Sequence, residues 1–347
     1  MSDFPKLMRL RVDDENMEKI HSVARKGQTD EVKRFVEQGI DPSIQNKFGC
    51  TALHLACKFG QVETAKYLST LCDSHISWHG QKPLHLAVLS KKEDLVEALV
   101  AGARDRGRNV EAMLNEHDEF QVTEIGEHDI HSDGQTALHW CVALGSEYLP
   151  MLKLLLKLGA SPTAKSKESM TSLMYAIITK NEEAMECMLD GVKSGQLRLD
   201  YQDKDGRTHL HHAILSNRED YAMRFIELGH GLDQEDDNHE PPLFHALRAA
   251  MPKLLAYLLE NVDTFSVQQA PFHNGSTVMP ERIQWLPFAT NEQEQNECIA
   301  LFQKRLSEVC APQEAVVKKK KANIKKMHLA PSAPVRKRSV GRPKASK

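Results

Sequence analysis

Long apolar runs are missing from this 347-residue chain. A membrane-spanning helix needs about 18 or more consecutive apolar residues, and none is expected here. The opening residues, MSDFPKLMRLRVDDENMEK, lack the apolar core and small-residue cleavage site of a secretory signal, so none is expected either. Cysteine is scattered: Cys50, Cys57, Cys72, Cys141, Cys187, Cys298 and Cys310, with no CxxC pair. That argues against a disulfide scaffold or a Cys-rich zinc site and for reduced thiols in a cytosolic or nuclear setting. GxxxxGK[ST], GxGxxG, GxSxG and HExxH are also absent. Paired acids such as Asp13-Asp14 and Asp236-Asp237 lie in polar, turn-like stretches. No catalytic residue, cofactor site or metal site is therefore assigned, and an enzyme is not expected. At 41% hydrophobic and 27% charged, the composition also excludes disorder throughout.

What is present is a repeat. GCTALHLACKFG from Gly49 recurs as GQKPLHLAVLSK from Gly80, GQTALHWCVALG from Gly134 and GRTHLHHAILSN from Gly206. Weaker copies begin at Ser169 and Glu240, and a degenerate one spans Met17–Gly27. Aligned on the Thr position, the copies fall at Glu18, Thr51, Lys82, Thr136, Thr171, Thr208 and Pro241, with steps of 33, 31, 54, 35, 37 and 33. Thr51 and Thr136 suit a helix N-cap, and Pro83 suits the first helical turn, where its missing donor costs nothing. Leu53, Leu84, Leu138, Leu173 and Leu210 are candidate core residues, and Ala56, Ala87, Ala143 and Ala213 let helices approach closely. Gly39, Gly102, Gly159 and Gly229 are expected after helix ends.

These strings resemble the ankyrin repeat family over about residues 16–262. The resemblance implies an all-α solenoid of about seven helix pairs, each burying its apolar face against its neighbours. His21, His54, His85, His139 and His211 occupy the fourth position of the family's Thr-Pro-Leu-His signature. There the imidazole is expected to be a hydrogen-bonding structural element between repeats, with metal binding or catalysis as the competing reading.

Three segments depart from the repeat. The long step implies an insertion of about 21 residues within 103–133, if the period is about 33. From Asn109 to Asp133 it holds eight acids and no Lys or Arg. It is expected to be a solvated acidic loop with a short helix at Val110–Asn115; a partner-binding loop and a divalent-metal site are the alternatives. Residues 263–310 are expected to cap the solenoid. A capping-box-like Thr290 opens their helix, about 290–309, with Cys298, Leu301, Phe302, Leu306 and Val309 as its apolar stripe. A stripe that docks another protein is the alternative. Residues 1–15 read as an N-terminal arm.

The third segment is a basic tail, 311–347. It carries +11, leaving −14 on the first 310 residues. Its composition predicts disorder when free. Lys318, Lys319, Lys320 and Lys321 form a nuclear-import candidate. Gly341-Arg342-Pro343-Lys344 resembles the AT-hook family, which implies insertion of Arg342 into the narrow minor groove of A·T-rich DNA. Arg336, Lys337 and Arg338 would pair with phosphates alongside Lys344. An import signal alone is the competing reading.

The ankyrin resemblance implies that a protein partner docks on a concave face made by hairpin tips and first helices. The candidate contacts are Lys47, Phe48, Phe59, Trp78, His79, Gln81, Asp133, Gln135, Asp205 and Arg207. Phe48 and Trp78 are the expected anchors, unless each packs on a neighbouring tip. The acidic body favours a basic partner, such as a histone tail or a transcription factor. The combined expectation is a non-enzymatic nuclear scaffold, shuttling or resident, that holds a protein and contacts DNA or chromatin in transcription regulation. An IκB-like inhibitor and a substrate-recruiting subunit of a modifying enzyme are the alternatives.

Overall fold

The computed structural model describes residues 19–46, 49–72, 80–119, 134–193, 199–262, 267–268, 270–274 and 277–309. Seven helix pairs follow one another. An inner row comprises α1 (Lys19–Lys26), α3 (Ala52–Lys58), α5 (Pro83–Leu89), α8 (Ala137–Leu144), α10 (Ser172–Thr179), α12 (His209–Leu215) and α14 (Pro242–Arg248). The outer row comprises α2 (Thr29–Glu37), α4 (Val62–Ser69), α6 (Glu93–Asp105), α9 (Leu149–Leu158), α11 (Glu182–Lys193), α13 (Glu219–Glu227) and α15 (Pro252–Asn261). Each inner helix packs on the next inner helix. No single pair can bury its apolar stripe alone, so the core is one continuous cluster running from Ile20 to Leu306. The expected core leucines, Leu53, Leu84, Leu138, Leu173 and Leu210, are all buried in it.

The inner helices start as their sequence dictates. Thr51, Thr136 and Thr208 are N-caps, each in a reciprocal box with the His three residues on, and Pro83 opens α5. Gly39, Gly159 and Gly229 have φ of 88°, 104° and 88°, the left-handed conformation expected after helix ends. Gly102 differs: it lies inside α6, where a Cβ would stand 2.8 Å from the backbone carbon of Ser69 on α4. It is there so that two outer helices can touch, not to end one.

The acidic insertion also departs from a plain loop. Its beginning extends α6 to Asp105 and then forms α7 (Val110–Leu114), whose Met113 and Leu114 are fully buried. Asn109 caps α7 through Oδ1, and Asn115 Oδ1 accepts the Ser161 N–H at 2.8 Å. The charge pattern hid two core residues in an acidic stretch. Residues 120–133 lie outside the described residues.

The chain then closes the last repeat. α16 (Glu292–Val309) packs against α14 and α15, and a hairpin of two-residue strands, β1 (His273–Asn274) with β2 (Thr277–Val278), packs on α16 through β2. Cys298, Phe302 and Leu306 are fully buried, while Leu301 and Val309 are only half-buried. The helix is capped by Asn291, whose Oδ1 accepts the Gln293 N–H at 3.0 Å, rather than by Thr290, which is exposed. No described helix is long and apolar enough to cross a membrane.

Candidate functional site

Each repeat begins with a hairpin tip, and the described tips share one construction. Five residues before the Thr position stands Asn46, Ser166, Asp203 or Asp236, and in the enlarged fourth tip Asp118, eighteen before Thr136, takes the same place. Its backbone N–H donates to the carbonyl of the residue just before the Thr position, at 2.8–3.1 Å in every case: Cys50, Gln135, Met170, Arg207 and Glu240. Its side-chain oxygen accepts the N–H of that same residue. Neighbouring tips are joined by backbone bonds, Glu119 to Gly80, Lys204 to Glu168 and Asp237 to Asp205, at 2.7, 3.0 and 2.9 Å. The tips therefore form a coupled row instead of independent loops.

The tip residue is also tied to the inner helix. Asp118 Oδ2 accepts from Trp140 Nε1 at 2.8 Å, Asp203 Oδ2 from His212 Nε2 at 2.8 Å, and Asp236 Oδ2 from His245 Nε2 at 3.2 Å. Asp203 and His212 lie nine positions apart, as do Asp236 and His245. In the third-to-fourth step the same pair is Asp118 and Trp140, separated by 22. The excess of 13 falls between Asp118 and Gly134, so the insertion has two parts: extra helix after α6, and an enlarged tip. This column was missed in the sequence because an Asp in a turn is common. Its signal is the recurrence of Asp and His at one spacing, one period apart.

The fourth-position histidines behave as expected. His54, His139 and His211 accept at Nδ1 from their own N-cap Thr at 2.8–2.9 Å. At Nε2, His21 donates to the Cys50 carbonyl at 2.9 Å, His85 to Gln135 at 3.1 Å, His139 to Met170 at 3.0 Å and His211 to Glu240 at 3.3 Å. Each of these imidazoles joins one repeat to the next. Burial holds His85 and His211 neutral with pKa lowered to about 3, and His139 to about 4. Burial likewise pushes the Cys50 thiol up to about 12 and raises Cys57 and Cys141, leaving them inert. In the last repeat Phe244 replaces His, since no further repeat offers a carbonyl. It meets Phe272 of the cap edge-on at 5.5 Å.

Among the described residues, one grouping could approach a metal: Asp236, Glu240 and His245, with donor atoms within 4.8 Å of one another. Arg248 Nη1 already holds Glu240 Oε2 at 2.7 Å, and His245 Nε2 lies 3.2 Å from Asp236. A metal on Nε2 would move the proton to Nδ1, which is buried without a partner. The cluster reads as a closed polar network between tip and helix.

The sequence-derived contact residues separate into three groups. Lys47, Phe48, Trp78, His79 and Asp133 lie outside the described residues, as do the tail candidates Lys318–Lys321, Arg336–Arg338 and Gly341–Lys344. Gln81 and Gln135 are buried, so their side chains do not face a partner. The Gln135 carbonyl receives His85 Nε2, and its side chain is held inward by Nε2 donating to Tyr175 Oη at 3.3 Å. Asp205 and Arg207 are half-buried and paired at 3.1 Å on their tip. Phe59, at the end of inner helix α3, is exposed.

Comparison with known proteins agrees with this geometry. The profile described as "Ankyrin repeats (3 copies)" matches residues 20–111 and 108–196, just over half of the chain. A solved ankyrin repeat protein from Leishmania major is 56% identical, covers 86% of this chain and 100% of its own, and superposes with a TM-score of 0.69. The mouse B-cell lymphoma 3 protein homolog is 25% identical over 182 residues, 52% of this chain and 36% of that protein. The chain thus spans about a third of that curated relative's length. The ankyrin repeat domain of Bcl-3, titled a unique member of the IkappaB protein family, is 20% identical, covers 71% of this chain and 99% of its own, and shares the fold with a TM-score of 0.54. The chain belongs to the ankyrin repeat family.

Proposed function

We propose that the chain is a non-enzymatic nuclear scaffold, shuttling with the cytoplasm, whose tip row and inner helices hold a protein partner. Its basic tail contacts DNA, in transcription or chromatin regulation. The observation carrying the first part is the coupled row of tips leading into the inner helices, one of which leaves Phe59 exposed at its C-terminal end, a preorganised surface on a stack of repeats. The second part rests on the charge split, +11 against −14, and on the GRPK sequence. Co-purification of the tagged full chain from nuclear extract, with cross-links mapped by mass spectrometry, tests the first part. Cross-links confined to the outer helices would refute it. Weak, salt-dependent binding of the 311–347 peptide to A·T-rich duplex, with the preference abolished by Arg342→Ala, tests the second. Equal binding to G·C-rich duplex would leave the tail an address read through Lys318–Lys321.

The likeness to Bcl-3 favours one second reading, an IκB-like inhibitor that masks a transcription factor. That reading requires the co-purified partner to lose its own DNA binding in the complex. The scaffold reading requires that it keep it.

A further inference from the structure

The acid of the body is not spread evenly. From Glu219 to Cys310 fifteen acids face six bases, a net −9 on 92 residues, while the 218 residues before them carry −5. This acidic end holds α13 to α16, the seventh tip and the cap, and it is the end from which the +11 tail departs. Its carboxylates fall into two sets. One set is used internally: Arg248 holds Glu240 at 2.7 Å, His245 meets Asp236 at 3.2 Å, and Glu219 accepts the Leu254 N–H at 3.0 Å. The other set is exposed: Asp233 and Asp237 on the seventh tip, Glu281 in the cap, and Glu292, Glu294 and Glu297 on α16. Among the described residues no cation pairs with any of these six. Glu292 and Glu294 suit a helix first turn, where acids meet the positive end of the dipole. That use does not extend to Glu297, to Glu281 or to the tip, and the first base on α16 is Lys304. No repeat follows α16, so its acidic first half faces outward at the end of the stack.

We infer that the basic tail folds back in cis on this end of the stack, with Lys318–Lys321 against the first half of α16, and that DNA competes with this contact for the same lysines. The reach is sufficient. Lys318 lies nine residues beyond Val309, a span of up to about 30 Å when extended. Glu297 and Glu292 lie twelve and seventeen residues before Val309 on one helix, about 18 and 26 Å back along its axis. Single exposed ion pairs are worth little, so the contact depends on several lysines acting together. Attachment at Val309 supplies that: the tail meets these carboxylates at a high effective concentration, whatever the concentration of the protein. The competition rests on the reading of the tail as a DNA contact; the fold-back itself does not.

The test uses the full chain, an equal mixture of unlabelled and heavy-isotope-labelled protein, and a zero-length carbodiimide that joins an amine to a carboxylate only in contact. Cross-links mapped by mass spectrometry should join Lys318–Lys321 to Glu292, Glu294 or Glu297, within one isotope label, and should fade as salt is raised. The exposed pair Lys91–Glu147, 2.7 Å apart, is the internal control. Tail cross-links that are absent while this control is captured, or spread evenly over the acids of the first six repeats, overturn the inference. Pairs of mixed label overturn its cis geometry. A second measurement reads the competition. Glu292→Gln, Glu294→Gln and Glu297→Gln together should tighten binding of the full chain to A·T-rich duplex about fivefold at physiological salt, by freeing the tail. Glu31→Gln, Glu63→Gln and Glu97→Gln, exposed acids of the first three repeats, make the same change in net charge and should shift it by less than about twofold. Unchanged circular dichroism keeps both comparisons ones of binding. Equal tightening by the two triple variants overturns the competition, since net charge alone then explains it. The two readings fail separately. Cross-links without any duplex binding leave the fold-back standing and remove the DNA reading; duplex binding without cross-links does the reverse.

Discussion

His209 Nε2 stands 3.0 Å from Thr171 Oγ1, across a repeat boundary. Thr171 is the N-cap of α10, whose own fourth position holds Met174 in place of His. His209 Nδ1 faces the Leu199 carbonyl at 3.0 Å, which makes Nδ1 the donor and Nε2 the acceptor of the Thr171 hydroxyl proton. The missing His is thus replaced by one from the next repeat, at a different position in its motif. His209→Ala should leave the buried Thr171 hydroxyl proton without its acceptor and remove one donor from the Leu199 carbonyl, and cost about 1–3 kcal/mol of unfolding free energy. Met174→His in the wild-type background should not add stability, because the cap is already satisfied. Urea denaturation of the two variants checks both statements; a cost near zero for His209→Ala would show that the bond is not made.

The histidines also set a pH window. His85, His139, His209 and His211 are buried and neutral, with pKa lowered to about 3, 4, 3 and 3, from an ordinary value of 6.5. Between about pH 4 and 6.5 the unfolded chain binds protons at these positions and the folded chain does not. Stability therefore rises with pH across that window and falls as the pH drops below 6.5, by about 1.4 kcal/mol per unit for each such His. Asp203 and Asp236, whose carboxyls are lowered from 3.8 by accepting backbone N–H groups and meeting His212 and His245, lose their contribution only below that range. Melting temperatures at pH 7.5, 6 and 5 should fall steeply and without change of ionic strength. A flat profile would mean that these imidazoles are reached by water.

Much of this was legible in the sequence because a repeat states its register several times. Thr51, Thr136 and Thr208 cap their helices with the histidine three residues on, and one instance would have carried little weight. The failures come where a residue's role depends on a distant contact. Gly159 and Gly102 look alike in sequence, each following apolar helical residues. One takes φ of 104° after a helix, while the other sits inside one because Ser69 is close. Asp118 was counted among the acids of a loop, and only its bonds to Gln135 and Trp140 show it to be a tip residue in the regular position. Of the interaction surface, Phe59 was found by its inner-helix register.

Gly102→Ala should be more costly than its chemistry suggests. In an exposed helix interior the change would favour folding by about 1 kcal/mol. Here the added methyl would come within 2.6 Å of Ser69 Cβ and 2.8 Å of its carbonyl carbon, so α4 and α6 must separate. A net loss of about 1–3 kcal/mol is expected, as for overpacked cores. A melting temperature above wild type would show that the helices part freely.

The last prediction concerns the insertion, whose two parts should respond oppositely to removal. The first part is core. Met113 is buried under α6, and Met113→Ala should cost about 2–5 kcal/mol. The second part enlarges a tip whose ends are already in regular positions: Asp118 N–H donates to the Gln135 carbonyl at 2.8 Å, as Asp203 N–H does to Arg207 at 3.0 Å. Replacing residues 120–133 by a single Asn gives Asp118-Glu119-Asn-Gly134-Gln135-Thr136, the length and pattern of Asp203–Thr208. Gly134 has φ of 77° and Gly206 74°, so the shortened tip needs no new backbone conformation. Closing a shorter loop lowers the entropic cost of folding slightly, by about 0.6 kcal/mol per halving of its length. The trimmed protein should therefore melt at or slightly above the wild-type temperature. If it unfolds, the enlarged tip holds more than its own ends, and the equivalence of Asp118 with Asp203 is wrong.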